Sequence, residues 1–349
     1  MRRDLGALLG LTSVLTLIGY QYDFSATAFF EHRWLYHFSD QRTSPRSAPD
    51  FGGIEAVLTL PDSQDIRQKR VQNVCQRYRE RLYRPHYRGL KSNFFPDTMR
   101  PRYCSTAECP LLVDIRHRFL FCFVQKVAST TVKALFLENS IGTDQLSRGN
   151  VTQLHRVAND RIRRVGPQFY TKKKMKKFFK AIFVRHPFER LVSVYEDKVG
   201  QEPQKMTYFY DKYFKQFASR KNITGTLSFS DFVDYLIETP WAEFDEHWMP
   251  YFQRCEVCLV GYDFIGKLET ASEDFDAMLD NGLTDMKSKL RRLNSRYQNG
   301  RLDFGRVETY FIQLERNQIM ALYRIYRFDF ELFGYNILNF IDTFDNGTP

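Results

Sequence analysis

Lys126 and Arg185 each stand where an apolar run of strand length gives way to small, polar and cationic residues that open a helical pattern. The first run, Phe119 to Phe136, reads FLFCFVQKVASTTVKALF, and the second, Ala181 to Val199, reads AIFVRHPFERLVSVYEDKV. Each has the form of a buried strand feeding a helix. A helix N-terminus exposes N–H groups and carries partial positive charge, so it favours negative ligands. Two such crossings on one parallel sheet would build a site for a ligand with two separated anionic groups.

The loop Gln125-Lys126-Val127-Ala128-Ser129-Thr130-Thr131 lacks the GxxxxGK[ST] pattern of an ordinary ATPase loop. It retains the parts of an anion cradle: a strand end, a lysine, small residues, and hydroxyls at a helix start. Thr130 and Thr131 can donate to phosphate, and Lys126 can neutralise charge on a departing oxygen. The plainer alternative is a helix cap at Ser129 or Thr130 beside a solvated lysine. In the second segment, Arg185 ends the strand, His186-Pro187 opens the helix, and Ser193 lies one to two turns inside it. An arginine fork at that edge suits phosphate, with Ser193 adding a hydroxyl. Alternatively, Arg190 and Glu189 form a surface pair and Arg185 bridges two elements.

Strands are expected at Phe119 to Val124 and Ala181 to Val184, with helices at Thr130 to Glu138 and Phe188 to Val199. Further helices are expected at Gln64 to Arg81, Phe229 to Ile237 and Arg306 to Tyr326, and a strand with a turn at Cys258 to Ile265. This alternation implies an α/β fold with a buried parallel sheet flanked by helices. The terminal aromatics Tyr323, Tyr326, Phe328, Phe330, Phe333 and Tyr335 read as core.

The chain of 349 residues is 43% hydrophobic, which excludes general disorder, and its formal charge of +10 asks for an anionic partner. Residues 5–22 carry no charged side chain and follow Arg2 and Arg3. They just reach spanning length, with the arginines holding the short flank in the cytosol. A cleaved signal ending near Ala26-Thr27-Ala28 and a buried soluble helix are the alternatives. The organisation expected is a cytosolic tail over 1–4, a signal-anchor over 5–22 and a luminal stem and irregular region over 23–110. A domain over 111–340 and a tail over 341–349 follow. Cys75, Cys104, Cys109, Cys122, Cys255 and Cys258 fit an oxidising lumen, and Cys255-Glu-Val-Cys258 reads as structural rather than zinc-binding or redox-active. Cys122, alternating within a strand, reads as a small buried thiol. Sequons stand at Asn150, Asn222 and, followed by proline, Asn346. The tract Lys172-Lys-Lys-Met-Lys-Lys177, with Lys180, is a positive field for an acidic glycan or a solvated helix face. It lacks the aromatic interleaving of a nucleic-acid platform.

With these residues in view, the chain resembles the Golgi membrane-bound carbohydrate sulfotransferases of the chondroitin/dermatan 4-O and HNK-1 type. Lys126-Val-Ala-x-Thr with Lys133 is similar to that family's 5'-phosphosulfate motif, and Val184-Arg-His-Pro-Phe-Glu-Arg-Leu-Val-Ser193 to its 3'-phosphate motif. The likeness continues through Glu246-His-Trp-x-Pro250, Cys255-x-x-Cys258, Tyr262-Asp-Phe-Ile-Gly-Lys-x-Glu-Thr270 and Leu322-Tyr-x-x-Tyr-x-x-Asp-Phe-x-Leu-Phe-Gly-Tyr335. Gln125, Ser129 and Thr131-Val132 depart from the usual proline, cysteine and Asn-Trp. The resemblance implies a P-loop-like α/β domain that takes 3'-phosphoadenylyl sulfate as donor, without a metal, at Gln125 to Thr131, Arg185 and Ser193. It also implies a single-pass type II Golgi protein acting on an acidic glycan, with O4 of N-acetylgalactosamine in chondroitin or dermatan expected and 3-O-sulfation of glucuronate as the alternative.

Sulfuryl transfer needs the incoming hydroxyl, sulfur and leaving oxygen in line, with charge stabilised at the leaving side, the role expected of Lys126. For the proton of the acceptor, His155, His186, His247 and Glu189 compete. A kinase is disfavoured by the absence of its signatures, and a silent glycan-binding protein is the alternative from another class.

Overall fold

The structure, a computed structural model, describes residues 62–82, 109–141, 151–165, 172–202, 205, 207–240, 243–283, 304–338 and 340. The anchor expected at 5–22, both flanking tails, the stem before residue 62 and the sequons at Asn150 and Asn346 lie outside the described residues. Among the described residues, no helix is long and apolar enough to cross a membrane.

The first element is helix α1, Gln64–Leu82, followed by strands β1, Leu111–Asp114, and β2, Phe119–Cys122. Helices α2, Ser129–Ile141, and α3, Val151–Arg161, lead to β3, Phe179–Val184, and then α4, Pro187–Val194. Helix α5, Phe229–Glu238, strand β4, Phe264–Lys267, and helices α6, Ala271–Gly282, α7, Phe304–Phe311, and α8, Arg316–Phe333, complete the frame. The sheet has four strands in the order β1-β2-β3-β4. β2, β3 and β4 are parallel, with Cys122 opposite Ile182 and Val184 opposite Lys267.

The expected parallel sheet is found in β2, β3 and β4, and is extended at its edge by β1, which runs antiparallel to β2 with Leu111 opposite Cys122. The turn Ile115 to Arg118 is too short for a crossover, and chain reversal through it admits antiparallel pairing alone. β2 is buried along its whole length, and so is nearly all of β3, as strands covered on both faces must be. Gly266 on β4 leaves room for the Phe183 ring, which any Cβ there would penetrate.

Local chemistry explains where the helices begin and end. Pro187 occupies the first turn of α4, and a Ser228–Asp231 capping box opens α5. The single helix expected from Arg306 to Tyr326 is two: α7 ends at Phe311, and Glu315 with Gln318 caps a new start for α8. Gly334, at φ +66°, closes α8 in the left-handed conformation. The strand expected across Cys258 to Ile265 is confined to β4, because Val257–Val260 forms a helical turn ended by Gly261 at φ +63°.

The core falls into a sheet cluster, including Phe121, Ile182 and Phe264, and a helical cluster, including Phe188, Phe232, Trp248 and Tyr326. Tyr326, Phe330 and Phe333 are buried, in keeping with their reading as core.

Cys122 is not a free thiol: it is disulfide-bonded to Cys255, and Cys75 to Cys258. Strand alternation turns its sulfur toward the segment that carries Cys255, a contact invisible to a local pattern. The cysteines of the CxxC pair thus bind separate partners, as suits a structural role. The sequon residue Asn222 is exposed, at φ +54°, at the end of the helix Lys215–Lys221.

Candidate functional site

β2 and β3 are adjacent and parallel, so the loops leaving their carboxyl ends open on the same edge of the sheet. One is Gln125 to Ala128, the other Arg185-His186. In open α/β sheets that edge is where ligands bind.

The first loop is tightly wound. Lys126 and Ala128 lie at φ +67° and +47°, a region non-glycine residues rarely enter and one that stores strain. Val127 is buried and pins the loop, while α2 starts at Ser129 and its Val132 N–H donates to the Ala128 carbonyl at 3.1 Å. Gln125 is buried, and its side-chain oxygen has no hydrogen-bond partner among the described residues. Thr130 is buried, whereas Ser129 and Thr131 are half-buried.

Around this loop stand cations that a local reading does not collect. Lys126 Nζ lies 3.3 Å from an Asp197 carboxylate oxygen, and Lys198 Nζ lies 3.4 Å from the same atom. Both partners come from a π-helical turn, Tyr195–Val199, that continues α4; such turns recur at functional sites. Burial pushes the Asp197 carboxyl up, but Lys126 and Lys198 outweigh it and hold the group below its usual value. Lys133 on α2 donates to Asn159 Oδ1 at 3.1 Å and lies over the Phe123 ring. Burial, with Arg164 nearby, brings its ammonium down to about 8 despite an opposing pull from Glu246.

His155 on α3 joins this cluster. Its Nε2 is 3.2 Å from Thr130 Oγ1, and its Nδ1 is 3.2 Å from Lys133 Nζ. Burial first, then Lys133 and Lys198, lowers its pKa, which favours the neutral ring.

The second loop brings a different set together. Arg185 is fully buried, and its Nε donates to Glu189 Oε2 at 3.2 Å. Ser193, further along α4, is also buried. The surface pairing of Glu189 with Arg190 does not occur. Arg190 is buried and donates instead to the carbonyls of Gln125, Met249 and Glu246, at 3.3, 2.8 and 3.1 Å. It thereby ties the first loop to the segment before Pro250.

His186 is a cap within an aromatic nest. Its Nδ1 accepts the Phe188 N–H at 3.2 Å, so the proton sits on Nε2, which donates to the Asn336 carbonyl at 3.1 Å. Burial depresses its pKa to about 4, and Phe330, Tyr335 and Phe340 surround the ring. His247 stands in a third group, its Nδ1 2.5 Å from Asp245 Oδ1, with Tyr213 donating to the other Asp245 oxygen at 2.5 Å. Phe209 packs against His247, and Lys198 Nζ lies 5.2 Å from the centre of the Phe209 ring.

The basic tract is elsewhere. Lys174, Lys176 and Lys177 are exposed before the N-terminal end of β3, a strand length of about 20 Å from its Arg185 end. Lys180 is not part of that exposed field: it is buried and ion-paired to Asp263, which also accepts its backbone N–H at 2.9 Å. Among the described residues, no His, Cys, Asp or Glu group is arranged to hold a metal.

Comparison with known proteins adds an independent finding. The sulfotransferase family pattern matches residues 110–336. Carbohydrate sulfotransferase 12 of Mus musculus is 30% identical over 263 residues, which cover 64% of this chain and 59% of that protein. Carbohydrate sulfotransferase 14 of Danio rerio is 26% identical over 79% of this chain and 72% of its own length. Carbohydrate sulfotransferase 11 of Mus musculus is 30% identical, with 66% and 68% covered. No solved structure matches the chain with significance.

Proposed function

The chain belongs to the sulfotransferase family, and from that premise we propose that it transfers sulfate from 3'-phosphoadenylyl sulfate to a hydroxyl of an acidic glycan. The observation that carries this reading is the shared edge of β2 and β3, where the Lys126 loop and Arg185 open side by side. A donor with anionic groups at both its 5' and 3' positions fits two cationic loops on one edge. The donor, when bound, supplies an activated sulfuryl group.

In this reading the N–H groups opening α2, with the hydroxyls of Ser129, Thr130 and Thr131, hold the 5'-phosphosulfate. Gln125, Val127 and Ala128 shape that cradle. Lys126 neutralises the leaving oxygen, and for this it exchanges Asp197 for the donor. Arg185 and Ser193 hold the 3'-phosphate, with Glu189 keeping the guanidinium oriented until an anion takes its place.

His155 is the base that takes the acceptor proton: with Lys133 donating to Nδ1, the neutral ring carries its proton on Nε2 beside Thr130, and the lone pair at Nδ1 becomes free for the acceptor once Lys133 turns to the donor. His155 touches the anion loop through Thr130, and its surroundings favour the neutral ring that a base needs. His186 has both nitrogens committed to the fold, Glu189 serves Arg185, and His247 is paired with Asp245.

The acceptor we propose is O4 of N-acetylgalactosamine in chondroitin or dermatan, and the setting is the Golgi lumen behind an anchor at 5–22. The disulfides agree with an oxidising compartment. Incubation with sulfur-labelled donor and a glycan panel, followed by disaccharide analysis, tests the proposal. Label on O4 of the hexosamine is expected. Label confined to glucuronate would move the acceptor assignment, and binding of donor without transfer would leave a glycan-binding protein.

A further inference from the structure

We infer that Tyr251 is a positioning residue for the donor: its hydroxyl fixes the backbone of Arg185 where β3 ends. The inference rests on the reading that Arg185 holds the donor's 3'-phosphate.

Strand pairing stops at Val184, opposite Lys267, so Arg185 is the first residue that the sheet does not hold. Its N–H donates to the Tyr251 oxygen at 3.1 Å, and the Tyr251 hydroxyl donates back to the Arg185 carbonyl at 3.1 Å. One hydroxyl therefore satisfies both backbone groups of the arginine, inside a site where neither reaches water. Burial raises the phenol's pKa far above its usual value, which keeps the donated proton in place.

The hydroxyl is a good anchor because Tyr251 is itself buried and held at its backbone. Asp329, on α8, accepts the Tyr251 and Phe252 N–H groups at 2.8 Å each, one on either oxygen. The Arg190 guanidinium lies 4.8 Å from the centre of the Tyr251 ring. Arg190 also bonds the Gln125 carbonyl, so the same guanidinium contacts the ring and the first loop of the proposed donor site. A terminal helix, through one carboxylate and one phenol, thus sets where the phosphate-binding arginine begins.

Tyr251→Phe keeps the ring and removes only the hydroxyl. Tyr262→Phe is the matched control, because the buried Tyr262 hydroxyl donates to the Cys255 carbonyl at 2.7 Å and touches neither loop. Calorimetric titration of the full chain with adenosine 3',5'-bisphosphate and with adenosine 5'-monophosphate reads the effect. For Tyr251→Phe, affinity for the bisphosphate should fall about tenfold or more, since small displacements of a binding group are costly. Affinity for the monophosphate, which has no 3'-phosphate, should stay at the wild-type value. Tyr262→Phe should lower thermal stability while leaving both affinities in place.

Equal losses for the two nucleotides in Tyr251→Phe would overturn the inference in favour of general damage. An unaltered bisphosphate affinity in Tyr251→Phe, with Arg185→Ala weakened, would overturn it while sparing the assignment of Arg185. Wild-type affinity in Arg185→Ala would remove that assignment and the inference with it. If Tyr251→Phe does not fold, Asp329→Asn, which loosens the same tyrosine, is read by the same ratio of affinities.

Discussion

Replacing Lys126 by alanine should separate catalysis from stability. The lysine side chain is about a quarter exposed, and its partner Asp197 more so, at 24% and 37%. A pair that open is screened, and its loss costs no more than about 1 kcal/mol of stability. For a domain of this size that is a fall in Tm of roughly 2–4 °C. Asp197 also keeps Lys198 at 3.4 Å, so it is not left as an unpaired carboxylate. The catalytic loss should be far larger. Removing a donor aimed at developing charge costs about 2.7–4 kcal/mol, or about 10²–10³ in kcat. The assay is transfer from sulfur-labelled donor at saturating donor and acceptor, alongside thermal melting and titration with adenosine 3',5'-bisphosphate. Wild-type kcat in a folded Lys126→Ala protein would refute the role given to this lysine. A collapse of Tm by tens of degrees would refute the claim that the pair is peripheral to the fold.

The pH profile should report His155: its lowered pKa keeps the ring neutral to lower pH, so the acid limb of kcat/KM should lie below 6.5. Lys133→Met removes one of the cations that depress it and should move that limb upward, and a limb that stays put would count against His155 as base. Double replacement of Cys122 and Cys255 by alanine, which opens a link between residues 133 apart, should lower stability by about 2–5 kcal/mol in denaturant unfolding. An unchanged midpoint would show that the link does not constrain the fold. Arg190→Met should cost about 3 kcal/mol or more in urea unfolding, because the carbonyls of Gln125, Glu246 and Met249 lose their donor in a buried site. A loss under about 1 kcal/mol would mean that water or another group satisfies them.

The two strand-to-helix crossings were legible in the chain itself. Unbroken apolar runs followed by Lys126 and by Arg185 mark where buried strands must end, because the switch from strand to helical spacing is local chemistry. The structural character of Cys255 and Cys258 was legible too, from the surplus of cysteines around them. The break between α7 and α8 was written in the chain as Glu315 and Gln318, but an uninterrupted apolar spacing concealed it. β1 is a single buried tetrapeptide, too short to announce itself, and its antiparallel sense follows from the turn that joins it to β2.

Tertiary structure decided everything that depends on segments distant in sequence. It brought Cys122 to Cys255, took Lys180 out of the exposed basic tract by pairing it with Asp263, and turned Arg190 inward onto three carbonyls. It set His155 against Thr130 while committing both ring nitrogens of His186 to the backbone, a distinction that residue type cannot make. Above all it joined Asp329 to Tyr251 and Tyr251 to Arg185. Periodicity fixes which face of an element is apolar, whereas the partner of a buried polar group is chosen only when the elements pack and water is excluded.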